Sequence, residues 1–167
     1  YKVKTSLYIT VTNENKNFFL FFMTDFSMDP IINVVNNGIK APIESAIRNQ
    51  HYPAVLILIY AGIDAMASLD MPENQTDVAQ KDFVWWAGRY IRFPCPEQLT
   101  GLELYGARCG ILHNHGIASR LSREDKCRMI SYAPYLDPPE IRYDPTVSRD
   151  HVAVSVTGFA VAFFEGV

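Results

Sequence analysis

The chain has 167 residues, of which 49% are hydrophobic and 13% aromatic, which is typical of one globular domain with a sizeable core. Its formal net charge of −3 argues against a protein that coats nucleic acid through its whole surface. Three widely spaced cysteines without a Cys-x-x-Cys pair predict neither a disulfide framework nor a structural zinc site, and they favour a reducing cytoplasm.

The N-terminal residues predict a small β-hairpin. Hydrophobic and polar residues alternate from Val3 to Thr12, and an Asn-rich turn leads into the run Phe18–Phe22. Residues 1–27 are therefore interpreted as a hairpin. The alternative is that Met23 or Met28 is the natural start, in which case the preceding residues are a non-native extension.

Residues 28–167 predict a mainly α-helical domain, a bundle of four to five helices. Asp29-Pro30 is typical of an N-cap followed by proline at the first helical position. Apolar residues recur at helical spacing from Ile31 to Ile47. Gly38 and Pro42 interrupt this pattern, so we expect the first helix to be kinked or split.

The second predicted helix begins at Pro53, continues to about Leu69 and is nearly continuous in apolar residues. Its longest apolar run is too short for a membrane span, so we expect the central helix of the bundle. It carries one charge, Asp64, near its middle. Because an unpaired buried charge is costly, Asp64 needs either a structural partner inside the bundle or a role in orienting a functional side chain.

Two more helices are predicted before residue 117. Thr76 or Asp77 caps the third helix, and Pro94-Cys95-Pro96 ends it. The fourth begins at Pro96 and ends in a left-handed cap at Asn114-His115-Gly116. The third helix is rich in aromatic residues, which we expect to pack in the core or in a dimer interface, with stacking on unpaired bases as the alternative: Phe83, Trp85, Trp86 and Tyr90.

The C-terminal part of the chain is less regular. The segment 119–132 is polar, and 134–145 contains four prolines, so we expect an extended surface excursion. A β-prone run over His151–Val156 leads into an apolar terminal helix around Phe159–Phe164. The pattern stops abruptly at Val167, which predicts that the domain is truncated at its C-terminus.

An arginine and a histidine lie at the end of the fourth helix, in the segment Arg108-Cys109-Gly110-Ile111-Leu112-His113. Arginine stays charged and its planar fork matches a phosphate, whereas histidine takes and gives a proton near neutral pH. Together they predict a centre that cleaves a phosphodiester without a metal or cofactor. The structural alternative is that both are cations favoured by the dipole at a helix C-terminus.

Basic residues continue after this segment. Between residues 108 and 128, five basic residues stand against two acidic ones, a local positive patch in a negatively charged chain. We predict that four of them bind RNA phosphates, with an ordinary solvated segment as the alternative: Arg120, Arg123, Lys126 and Arg128. Asp64 is then a candidate to orient Arg108 or His113.

These residues resemble the HEPN superfamily, whose signature is an arginine, four to six residues, and a histidine. The resemblance covers roughly Asp29–Arg128 and includes Leu104–His113 and Ser119–Arg123. It implies a helical bundle that acts as a metal-independent endoribonuclease in toxin–antitoxin, phage-defence or RNA-processing settings. It also implies a homodimer with two Arg/His pairs along one cleft, and an antitoxin partner protein that restrains the enzyme.

The chemistry that the resemblance implies is attack of the ribose 2′-OH on the adjacent phosphorus. His113 moves protons and Arg108 neutralises the phosphorane, which gives a 2′,3′-cyclic phosphate and a 5′-OH. The alternative function is a non-catalytic helical module that binds RNA, a nucleotide or a protein.

Helix geometry constrains this pair. Five residues of an ideal helix rotate by about 500°, which leaves Arg108 and His113 roughly 140° apart around the axis. We expect convergence through fraying near Gly110, through the long arginine side chain, or through a second subunit.

Overall fold

A computed structural model describes residues 9–13, 16–20 and 29–167. The strands β1 (Ile9–Asn13) and β2 (Lys16–Leu20) pair antiparallel, with Ile9 opposite Leu20. The predicted hairpin is therefore present over these residues, while its turn, its first residues and both alternative start methionines lie outside the described residues. The rest of the described chain is mainly helical with a small three-stranded sheet.

The first helical run extends from Pro30 to Arg48. It comprises α1 (Pro30–Asn33), a π-helical segment (Val34–Lys40) and α2 (Ala41–Arg48). Asp29 is the predicted N-cap, and its carboxylate accepts a hydrogen bond from the Ile31 N–H at 2.8 Å. The expected interruption takes the form of the π-helical turns that directly precede Pro42. Proline has no N–H to donate and its ring crowds the preceding turn, so the regular α-helical bonding pattern is interrupted there.

Helix α3 (Tyr52–Leu69) is the central helix that the sequence predicts. It is apolar and long enough, by length and composition, to cross a membrane. However, it contributes seven buried residues to the core and contacts α2, α4 (Gln80–Tyr90), α5 (Gly101–Asn114) and α7 (Val156–Gly166). This packing is consistent with the core helix of a soluble protein.

The predicted starts of α4 and α5 are wrong. Helix α4 begins at Gln80, beyond Thr76 and Asp77, because the Asp82 carboxylate accepts the Ala79 N–H at 2.8 Å. Helix α5 begins at Gly101 and not at Pro96, because Thr100 and Glu103 form a reciprocal capping box. In both helices the capping acid is the third helical residue, and its bond to the N–H of the N-cap residue sets where the helix begins.

A three-stranded sheet replaces part of the expected surface excursion. After α6 (Arg120–Arg123), the strands β3 (Met129–Ala133), β4 (Ile141–Arg142) and β5 (His151–Ser155) pair in the order β3-β5-β4. β5 is parallel to β3 and antiparallel to β4. The run at His151 was predicted as β-prone, but the parallel pairing depends on contacts distant in sequence.

The core joins this sheet to the helices through aromatic side chains. Phe159 of α7 is fully buried and packs against three rings, with centroid separations of 5.5 Å to Tyr60, 6.2 Å to Phe93 and 6.3 Å to Tyr132. The Tyr60 and Tyr132 hydroxyls bond to each other, which satisfies both phenols in a dry environment. Burial raises the pKa of both tyrosines.

A close backbone approach holds α4 against α5. A Cβ placed on Gly101 would lie 1.9 Å from the Val84 carbonyl oxygen, so Gly101→Ala forces the two helices apart. We expect it to lower the free energy of unfolding by about 1–3 kcal/mol or more. Gly38→Ala is the matched control, because its nearest neighbour is at 3.8 Å, and it should be neutral or gain about 0.5–1 kcal/mol. Urea unfolding measures the free energy of unfolding of both variants, and equal changes in Gly101→Ala and Gly38→Ala would contradict the close packing of α4 on α5.

Candidate functional site

An ion pair between α3 and α5 forms the centre of the site. Arg108 Nε donates to Asp64 Oδ2 at 2.8 Å, and their side chains are only 21% and 28% exposed. The one charge in the middle of the apolar α3 therefore finds its partner in the predicted phosphate-binding arginine. Both roles considered for Asp64, a structural partner in the bundle and orientation of Arg108, fit this contact.

Two aromatic rings flank the guanidinium. The Arg108 Cζ atom lies 5.9 Å from the ring centroid of Phe83 on α4 and 5.7 Å from that of Tyr105 on α5. Burial alone would lower the pKa of Arg108, but the Asp64 carboxylate raises it above the ordinary value. Tyr105 precedes Arg108 by three residues, so helical spacing could have found it, whereas Phe83 could not be placed from the sequence.

This arrangement leaves part of the guanidinium available. Among the described residues, Nε donates to Asp64 and neither Nη atom bonds to an oxygen acceptor, while the Cys109 side chain lies close enough to raise the pKa of Arg108 as well. The two Nη groups form the edge with which arginine binds phosphate. The Arg108 guanidinium is therefore charged and held in place by Asp64 through Nε, and its two Nη groups face the side on which a phosphate could bind.

His113 lies in the last turn of α5 and is exposed. The helix ends as predicted: His115 takes the left-handed conformation, with φ of 50°, and Gly116 N–H bonds to the Gly110 carbonyl at 3.2 Å. The His115 N–H also bonds to the Ile111 carbonyl at 3.2 Å, which is the bond of an αL C-cap. A cation in the last turn is also favoured by the helix dipole.

The expected fraying near Gly110 does not occur. The helix is continuous to Asn114, and a Cβ on Gly110 would lie 2.6 Å from the Gly116 carbonyl oxygen. Glycine at this position lets the chain turn back closely against α5. The regular helix therefore keeps Arg108 and His113 on different faces, about 7.5 Å apart along the axis.

The four predicted substrate-binding cations have different surroundings. Arg123 is exposed and makes no ion pair with another described residue. Arg120 is 79% exposed and lies 3.7 Å from Glu124, which also binds Lys126 at 2.7 Å. These three cations lie on α6 or just beyond it, and α6 packs on α5.

Arg128 is engaged inside the protein. Its guanidinium binds Glu97 at 2.7 Å and Glu103 at 2.5 Å, and its Cζ lies 4.4 Å from the Tyr143 ring centroid. This cluster joins the start of α5 to β3. The structure therefore does not group Arg128 with the exposed cations, because its donors already have acceptors.

A cleft beside the sheet is not lined by Arg108. It measures about 600 Å³, is lined by residues of all three strands of the sheet, the loop before β5 and the segment 95–97, and includes a 3.2 Å contact between Ser148 Oγ and His151 Nδ1. Sequence reasoning did not predict it. Within the described residues, no group of three or more His, Cys, Asp or Glu side chains is arranged to hold a metal ion.

Comparison with protein-family models, with curated proteins and with solved structures found no match. The observations that bear on function are therefore the Arg108–His113 segment, the Asp64 contact and the charges around them.

Substitutions of Asp64 and Arg108 should have non-additive effects on the free energy of unfolding. We expect Asp64→Leu and Arg108→Met each to cost about 1.5–3 kcal/mol, because each leaves a half-buried charge without its partner. The double variant should cost less than the sum by at least about 0.5 kcal/mol. The exposed pair Glu44–Arg48, at 3.6 Å, is the control and should show coupling of about 0.5 kcal/mol or less. Additive effects at Asp64 and Arg108 in urea unfolding would contradict the contact.

The Arg128 cluster predicts a pH dependence. Burial raises the pKa of Glu103, but hydrogen bonds from Arg128 and the Thr100 backbone outweigh burial and leave that pKa below its ordinary value of 4.5. A lowered folded-state pKa stabilises the protein fully above about pH 4.5, and this contribution is lost as pH falls through the folded-state value. The difference in free energy of unfolding between the wild type and Glu103→Gln should therefore decrease as the pH falls below about 4.5. A difference that stays constant with pH in urea unfolding would contradict this prediction.

Proposed function

We propose that this protein is a metal-independent endoribonuclease in which Arg108 and His113 act on one scissile phosphate. The observation that carries the proposal is the state of Arg108: Asp64 fixes its Nε, while neither Nη atom bonds to an oxygen acceptor among the described residues. An exposed histidine follows on the same helix. This combination supplies a preorganised cation and a proton carrier, which cleavage by an internal hydroxyl requires.

The reaction would proceed by attack of the ribose 2′-oxygen on the adjacent phosphorus. The bond from the 2′-oxygen to phosphorus forms as the bond to the 5′-oxygen breaks, through a pentacovalent phosphorane. His113 accepts the 2′-hydroxyl proton and, as the imidazolium, delivers it to the leaving 5′-oxygen. The Arg108 Nη groups neutralise the equatorial oxygens, where charge develops. The products are a 2′,3′-cyclic phosphate and a 5′-OH.

A homodimer fits this chemistry better than a monomer. Because α5 is regular through Gly110, Arg108 and His113 of one protomer point to different faces. Two copies with antiparallel α5 ends would place the arginine of one protomer beside the histidine of its partner. The proposed active cleft therefore lies between protomers.

The exposed cations after α5 extend the proposed site. Arg120, Arg123 and Lys126 provide a surface for RNA phosphates, although Glu124 partly neutralises it. The HEPN resemblance adds the proposals of a cytoplasmic toxin–antitoxin or phage-defence setting and of an antitoxin partner protein. The competing function is a non-catalytic RNA- or nucleotide-binding or protein-interaction module, in which the Asp64–Arg108 pair only stabilises the bundle.

The purified protein, given single-stranded RNA in EDTA, should produce fragments with 2′,3′-cyclic phosphate and 5′-OH ends. His113→Ala should slow cleavage by about 10²- to 10⁴-fold, because a general acid–base group is lost. His115→Asn is the matched control: it removes the neighbouring exposed histidine but tolerates the left-handed conformation, so it should cleave normally.

A substrate with 2′-deoxyribose at the cleaved position should be resistant, since it lacks the internal nucleophile. Intact RNA under all these conditions, or cleavage that His113→Ala leaves unchanged, would favour the non-catalytic module. Mass spectrometry of the fragment ends reads both outcomes.

A further inference from the structure

The outer face of α4 carries an exposed tryptophan. Trp85 is 52% exposed, whereas the neighbouring Trp86 is 3% exposed and Phe83 is fully buried. The aromatic pattern of this helix therefore divides into core residues and one ring in solvent. An exposed tryptophan presents a flat apolar face on which another ring can stack.

Cations flank this ring on both sides. Lys81 and Arg89 lie four residues before and after Trp85, on the same face of α4. The Arg89 Cζ lies 5.2 Å from the Trp85 ring centroid, and Arg92 follows just beyond the helix. All three cations are exposed, and none forms an ion pair with a described carboxylate. Two carboxylates, Asp70 and Asp82, also lie beside Trp85.

The stripe has the composition and spacing of a single-strand binding surface. Lys81 and Arg89 lie eight residues apart, about 12 Å along α4, which is roughly two phosphate steps of an extended single strand. Alternating cations and an exposed ring allow phosphates to meet Lys81 and Arg89 while one base stacks on Trp85. A duplex, whose bases are already stacked, could not use the ring in this way.

A small cleft beside Trp85 has room for the stacked base. It measures about 210 Å³, and Ala67, Met71 and Pro72 give it apolar walls. Asp70 and Asp82 also line it. These carboxylates disfavour a phosphate in the cleft and can accept hydrogen bonds from the amino group of a base. The phosphates then lie on the Lys81 and Arg89 side.

We propose that this α4 stripe, defined as Lys81, Trp85, Arg89 and Arg92, binds unpaired RNA on the face of α4 that points away from Arg108. The inference rests on the proposed ribonuclease function and specifies its substrate class as single-stranded RNA. Phe83, the ring beneath Arg108, precedes Trp85 by two residues, which is about 200° around α4. A strand that leaves Arg108 therefore passes around α4 to reach the stripe, so only substrates of several nucleotides use it.

The test uses a 2′-O-methyl oligoadenylate ten-mer, which is single-stranded and cannot be cleaved by an internal hydroxyl. Its addition should quench tryptophan emission in the wild type, because a base stacks on Trp85. Trp85→Phe retains only the buried Trp86, and its emission should not change.

Fluorescence anisotropy of the labelled ten-mer measures affinity. Trp85→Ala should raise the Kd about 5- to 150-fold, the range for loss of one stacked base. Lys81→Gln and Arg89→Gln should each raise the Kd and reduce its salt dependence. Arg48→Gln, an exposed cation on α2 outside the stripe, is the control and should bind as the wild type does.

Unchanged affinity in Trp85→Ala, or binding without any change in emission, would overturn the proposal. If tryptophan emission changes with protein concentration in the absence of RNA, and Trp85→Ala abolishes that change, a second copy of the protein covers the ring instead. Because the probe cannot be cleaved, a chain that proves to lack nuclease activity gives the same binding result. Failure of the stripe and failure of the catalytic proposal are thus separate outcomes.

Discussion

The contact between Asp64 and Arg108 is the constraint on which the rest of the site depends. Helix α3 is apolar and contributes seven buried residues to the core, and the partly buried carboxylate of Asp64 in its middle is stabilised by a charged partner. Its partner comes from α5 and lies close to the rings of Phe83 and Tyr105. The pair therefore joins α3 to α5 at a set register, and it holds one guanidinium in a defined orientation.

The same contact also orders the Arg108 side chain before any phosphate binds. A free surface arginine would lose side-chain entropy each time it bound a phosphate, whereas Arg108 is already ordered by its Nε contact. Because α5 is a regular helix from Gly101 to Asn114, His113 projects from a different face of it than Arg108 does. The proposed catalysis consequently depends on a second copy to complete each site, which links activity to assembly.

Local signals in the sequence predict many elements of this fold. The Asp29-Pro30 cap, the central α3 and the left-handed end of α5 at His115 are all confirmed. Each depends on residues close together in the chain. The starts of α4 and α5 were predicted wrongly because prolines and polar residues offered competing caps upstream of the capping acids that are used.

Features that depend on distant contacts could not be predicted in this way. The parallel pairing of β3 with β5 joins segments separated by the proline-rich excursion. Asp64 was identified as a charge in need of a partner, but its pairing with Arg108 requires the packing of α3 on α5. Similarly, Arg128 belonged to a basic cluster by sequence, and only the fold brings Glu97 and Glu103 to it.

The most direct test of the central claim is a crystal structure of the protein with a non-cleavable 2′-O-methyl RNA. The account predicts one phosphate within hydrogen-bonding distance, roughly 2.7–3.2 Å, of an Arg108 Nη atom and a ring nitrogen of His113, contributed by two protomers. Asp64 would keep its bond to Nε. A complex in which the RNA contacts neither side chain, or in which Arg108 and His113 face separate surfaces of every assembly, would contradict it.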